Sequence, residues 1–214
     1  DMEVLGPFVP LCEQLGRIGM ALAQGSSVDC VEVELLGHLA ERDTRLLSLA
    51  VLKGMLSGHT EEEVNLVNAP SLAEERGIDV AESKRTTARD FTDLVRVRVA
   101  AGDASVRVVG TTIGQRHRPH LLEAWGQRFN IQLEGHLTLL RYSDVPGMVG
   151  RVGTVLGERG INIASMAVGR RPEGADEGTA AMAITTDAPV PRAVLDEILR
   201  LDGFEDARSV DLAP

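Results

Sequence analysis

Two short segments carry residues whose types and spacing suit the capture of a small polar molecule: Arg141-Tyr-Ser-Asp-Val-Pro-Gly-Met-Val-Gly150 and Glu158-Arg-Gly-Ile-Asn-Ile-Ala-Ser165. Leu137 to Leu140 is apolar and extended. Asp144 with Pro146 then predicts a helix start, because Asp can cap free N–H groups and Pro suits a first turn. Val149, Val152, Val155 and Leu156 recur at helical spacing, Gly160 predicts a left-handed helix end, and Asn162 opens the next strand. A helix N-terminus presents unpaired N–H groups and partial positive charge, so the backbone at Gly147 and Met148 suits a carboxylate without any Arg or Lys. The side-chain oxygens of Asp144 and Asn162 suit an ammonium group. Together they point to one pocket for both ends of a zwitterionic amino acid. Gly147, Gly150 and Gly153 are expected on or near the exposed side of the helix, leaving room for a ligand or a second copy. Taken singly, Asp144 also fits a plain N-cap and Asn162 a plain turn residue.

A second constellation is Arg116-His117-Arg118-Pro119-His120, with Arg128 in the following strand. Its guanidinium forks suit a phosphate or other anion, and a solvated hairpin turn explains the same residues. His117 and His120 lack a carboxylate or Cys at a spacing that would complete four metal ligands, so no metal site is expected. G-x-S-x-G, H-E-x-x-H and paired catalytic carboxylates are absent, which leaves a phosphate-ester hydrolase built on Arg116 to His120 with only this patch behind it.

Charge narrows the partners. Residues 134–214 hold 8 Lys and Arg against 13 Asp and Glu, and residues 1–133 hold 14 against 19. Both halves would repel nucleic acid, and one Trp, one Tyr and four Phe make no stacking platform for bases. Cys12 and Cys30 lack C-x-x-C spacing and read as small hydrophobes in a reducing cytoplasm. No apolar run reaches the ~20 residues that cross a bilayer, so no membrane partner is expected.

The elements that must position these residues follow from periodicity. Leu5 to Ala23 predicts a helix with Phe8, Leu11, Leu15, Ile18 and Leu22 inward, Pro7 and Pro10 near its start and Gly25 beyond its end. Val28 to Leu36 predicts a strand and Thr44 to Leu56 a second helix. Thr60 with Glu63 predicts a capping box for a third, interrupted by Pro70 before Leu72 to Arg76. The period then becomes alternating over Ile78 to Ser83, Leu94 to Val99, Ser105 to Thr112, His120 to Ala124 and Phe129 to Leu133. After Asn162 come a strand from Ala164 to Arg170, a polar turn from Arg171 to Gly178, a strand from Thr179 to Thr186, a helix from Pro191 to Leu201 and a strand from Phe204 to Leu212. The predicted class is α/β (α+β). An upstream mixed α/β domain, residues 1–133, precedes a βαββαβ ferredoxin-like domain, residues 134–214. A lone sheet of the second kind leaves an edge strand to cover, which predicts a homo-oligomer.

The segments around Asp144 and Asn162, with the βαββαβ order, resemble the ACT domain, a regulatory amino-acid-binding module. Leu5-Gly-Pro-Phe8, Leu52-Lys-Gly-Met-Leu56, Val67-Asn-Ala-Pro70 and Glu82-Ser-Lys84 extend the resemblance over essentially the whole chain. The pair of domains resembles the C-terminal regulatory part of long-form D-3-phosphoglycerate dehydrogenases: an allosteric substrate-binding (intervening) domain followed by an ACT domain. That resemblance implies L-serine as feedback effector in serine biosynthesis. Tyr142, Asp144 and Asn162 would supply side chains, the backbone of Val145, Gly147, Met148 and Ile163 would complete the site, and Asp144 of one copy would face Asn162 of another. It also implies an anion effector site in the upstream domain. No G-x-G-x-x-G run opens a helix after a strand, so the dehydrogenase domains and their NAD are expected outside this chain, and the start Asp1-Met2 fits such a piece. No catalytic residue and no cofactor are expected in the chain itself. A second resemblance, to the ACT-containing subunit of iron–sulfur L-serine dehydratases, would bring a Ser-rich stretch ending in His near the start, where this chain has Leu5-Gly-Pro-Phe-Val-Pro10.

Overall fold

The computed structural model describes residues 2–23, 27–171 and 178–213. Gly25 and most of the turn expected from Arg171 to Gly178 lie outside the described residues. The chain divides into two compact units, 1–122 and 123–214. The boundary expected after residue 133 differs from this division by the end of one strand and the whole of the next.

The first unit contains α1 (Met2–Leu5), α2 (Phe8–Leu22), β1 (Cys30–Gly37), a 3-10 turn (His38–Glu41), α3 (Arg45–Leu56), α4 (Ala69–Glu75), β2 (Asp79–Arg85), β3 (Asp93–Ala101) and β4 (Ala104–Ile113). β5 (Arg118–Ala124) crosses the boundary. The strand order is β4-β3-β1-β2, with β2 parallel to β1 and the other pairs antiparallel. Alternation sets the register: Val95, Val97 and Val99 of β3 are buried, while Arg96 and Arg98 stand opposite Glu34 and Glu32 of β1 and pair with them. Leu11, Leu15 and Ile18 of α2 are fully buried, and Gly16 and Gly54 let the backbones of α2 and α3 approach closely.

The expected first helix forms as α2, with Gly6 and Pro7 setting the short α1 off before it, and the helix expected from Thr60 does not form. No capping box forms at Thr60, whose hydroxyl donates to the Glu62 carbonyl at 2.7 Å. The Asn65 side-chain oxygen accepts from the N–H groups of Val67 and Asn68, and that of Asn68 accepts from the Asn65 N–H. Asn side chains thus take backbone partners that a helix would have used. Pro70 interrupts nothing; it sits in the first turn of α4, where a missing N–H costs no hydrogen bond.

The second unit contains β6 (Gln127–Gln132), β7 (His136–Ser143), α5 (Met148–Glu158), β8 (Ile163–Arg170), β9 (Thr179–Thr186), α6 (Arg192–Leu199) and β10 (Phe204–Asp211). From β7 onward this is the βαββαβ order, with strands arranged β10-β7-β9-β8 and every neighbouring pair antiparallel. Both helices cover one face. Val152, Val155 and Leu156 of α5 and Val194, Leu195 and Ile198 of α6 meet Leu140, Tyr142, Met182 and Ile184 in one core. Val149 does not complete the expected α5 stripe, being 45% exposed.

Candidate functional site

β7 ends at Ser143, and the chain turns through Asp144 to Gly147 into α5. The Val145 N–H donates to the Ser143 carbonyl at 2.8 Å, and the Asp144 N–H donates to the Gly178 carbonyl at 2.9 Å. Gly147 is the N-cap residue with φ +91°, a left-handed conformation that favours glycine, and no side chain caps the helix. Asp144 is therefore not the cap expected from sequence. The first N–H groups of α5 have no side-chain cap beside an open cavity of about 410 Å³. Tyr142, Asp144, Val145, Pro146, Gly147, Met148, Val149, Val168 and Arg170 line that cavity.

Tyr142 is 2% exposed and its ring packs against Phe204, with centroids 5.8 Å apart. Burial, then the nearby Asp144 carboxylate, push its hydroxyl above the usual 10.0. Met148 is buried beneath the turn, whereas Val145, Val149 and Val168 are 51%, 45% and 42% exposed and form an apolar rim.

Arg170 is the residue missed in the sequence. Its Nε donates to Asp144 Oδ2 at 2.5 Å and a terminal nitrogen donates to Oδ1 at 3.1 Å, a two-pronged grip on the carboxylate. That hydrogen bond, followed by the carboxylate charge, pushes the Arg170 guanidinium above its ordinary value. Strand register explains the meeting. Tyr142 of β7 and Arg170 of β8 both stand opposite Ala180 of the intervening β9, on the face the helices cover. The available signal was alternation along β8: Met166 packs against the helices, which puts Val168 and Arg170 on the same side.

Five of the expected residues, Tyr142, Asp144, Val145, Gly147 and Met148, come together. Asn162 and Ile163 do not join them within one chain. Asn162 lies at the far end of β8 from Arg170, eight residues away or about 26 Å of extended strand. Its amide donates to Asp187 Oδ2 at 2.7 Å, and Ile163 packs against the core. A single chain thus holds Asp144 and Asn162 apart, and the expectation that they serve one pocket requires a second copy.

The basic constellation lies elsewhere. Arg116 and His117 occupy the turn between β4 and β5 and Arg118 starts β5, all three exposed, with His117 at φ +48°. His120 is half-buried in β5. Arg128 belongs to β6 in the second unit, where its Nε lies 3.9 Å from the buried Glu123 carboxylate. Among the described residues, no three His, Cys, Asp or Glu side chains are grouped to hold a metal ion. Cys12 is fully buried, and burial raises its thiol above the ordinary value.

Residues 4–124 match the D-3-phosphoglycerate dehydrogenase intervening domain, and residues 136–203 match the ACT domain. The chain is 34% identical over 212 residues to a D-3-phosphoglycerate dehydrogenase of Archaeoglobus fulgidus, covering 99% of this chain and 40% of that protein. It is 36% identical over 208 residues to one from Methanocaldococcus jannaschii, covering 97% and 38%. It is 35% identical over 221 residues to one from Synechocystis sp., covering 99% and 37%. The chain therefore spans about 40% of the length of the curated relatives it matches.

Proposed function

We propose a function for a chain that belongs to the D-3-phosphoglycerate dehydrogenase intervening-domain family and carries an ACT domain behind it: it binds L-serine between two copies and so regulates the dehydrogenase of which it is the regulatory part. One observation carries this reading. The half-site holding Asp144 and the uncapped α5 N-terminus, and the half-site holding Asn162, lie at opposite ends of β8, so a ligand that uses both joins two chains. The exposed rim of Val145, Val149 and Val168 supplies apolar area for that pairing. A ligand held by both copies stabilises only the paired state, and this differential affinity is the physical content of feedback control.

NAD and catalysis belong in this reading to the dehydrogenase domains, and the setting is the cytoplasm. Arg116, His117 and Arg118 are a second proposal, an anion effector site. Among the described residues Arg116 and Arg118 have no acidic partner, which leaves both guanidinium groups available to a phosphate.

The test is complementation followed by calorimetry with L-serine. Asp144→Ala and Asn162→Ala should each weaken binding roughly tenfold or more, because each removes a partner from a charged group. Mixing the two variants should restore parental affinity in about a quarter of the sites, since half of randomly formed dimers are mixed and each mixed dimer keeps one intact site. A mixture that binds no better than either variant alone would refute the shared site.

A further inference from the structure

We infer that Arg170 is a specificity-determining residue of this pocket: it occupies the carboxylate that a ligand's ammonium needs, and so lowers the site's preference for amino acids over acids that lack the amine. The inference rests on the amino-acid reading proposed above. Both Asp144 oxygens already accept from the Arg170 guanidinium, at 2.5 and 3.1 Å. A ligand ammonium brought to the same carboxylate must displace that group or share the anion with a second cation beside it. Displacement is open to Arg170, whose side chain is 70% exposed at the last residue of β8.

A second observation concerns the polar groups that line the cavity. Tyr142 lines the cavity, and its hydroxyl makes no hydrogen bond among the described residues. Across the strand edge, Arg128 of β6 stands directly opposite Arg170. Like charges at that spacing repel, which favours the turn of Arg170 toward Asp144. No side chain caps the α5 N-terminus, so its backbone donors stay open to a ligand carboxylate while Arg170 holds Asp144.

The experiment titrates the whole chain by NMR with L-serine and with 3-hydroxypropanoate, which is serine without its amine. The parent, Arg170→Met, Arg170→Lys and Asp144→Ala are compared. Arg170→Met should bind L-serine about two- to fivefold more tightly, the range set by the modest strength of an exposed ion pair. Its affinity for 3-hydroxypropanoate should stay level or fall, and Arg170→Lys, which keeps the charge without the fork, should lie between parent and Met variant. If the parent binds L-serine and Asp144→Ala weakens it, while Arg170→Met binds it no more tightly, the competition by Arg170 is refuted and the amino-acid site stands. If the parent does not bind L-serine, both fall.

Discussion

Replacing Gly147 with Ala and Gly150 with Ala should shift stability in opposite directions, although the two positions lie less than one helical turn apart. At neither would an added Cβ meet any atom within 4 Å, so steric clash drops out of the comparison. At Gly147 the backbone is left-handed, with φ +91° and ψ −8°, and holding an L residue there costs about 1–2 kcal/mol. At Gly150 the backbone is inside α5, and Ala gains roughly 0.8–1 kcal/mol in helix propensity. The two variants should therefore differ by about 2–3 kcal/mol. Trp125, the chain's one tryptophan, lies in the second unit, so its fluorescence during urea unfolding reports the unit that holds α5. With a urea slope of about 1–3 kcal/mol per M for a small domain, about 1 kcal/mol moves the midpoint by roughly 0.3–1 M, which makes both shifts measurable. Dilute samples keep self-association out of the reading. A Gly147→Ala variant as stable as the parent would mean that the turn is not left-handed, and the orientation of the first α5 N–H groups toward the cavity would fall with it.

Gly54→Ala should destabilise the first unit by about 1–3 kcal/mol, because its Cβ would lie 1.9 Å from the Glu13 carbonyl oxygen and a backbone atom cannot swing aside. Thermal melts followed by circular dichroism check this, and an unchanged Tm would show that α2 and α3 are further apart. Tyr142, the chain's one tyrosine, should ionise above pH 10 in the native chain and near 10 in urea, read from absorbance at 295 nm. Since the folded chain holds this proton more tightly, the associated stability is fully present below pH 10 and declines as pH rises through the elevated folded value. A native midpoint at or below that in urea would contradict the buried hydroxyl.

Periodicity made most of the framework legible. Val95, Val97 and Val99 against Arg96 and Arg98 announce a half-buried strand, and the βαββαβ order follows from alternating and helical spacing downstream of Leu137. The Asp144 to Met148 turn could also be located, since Pro and Gly restrict the local backbone whatever packs around it. Thr60 and Glu63 misled, because a capping box is a local pattern and the Asn65 and Asn68 side chains offered the backbone competing partners.

What the sequence by itself determined is therefore the set of elements and the position of the turn, each governed by interactions within a few residues. Tertiary structure alone decided which side chains share the cavity. Arg170 reaches Asp144 across 26 residues because β7 and β8 flank β9 in one register, while Asn162, nearer in sequence, is carried to the other end of the same strand. Strand pairing converts distance along the chain into distance along a sheet, and that conversion depends on register, which no local window of residues contains.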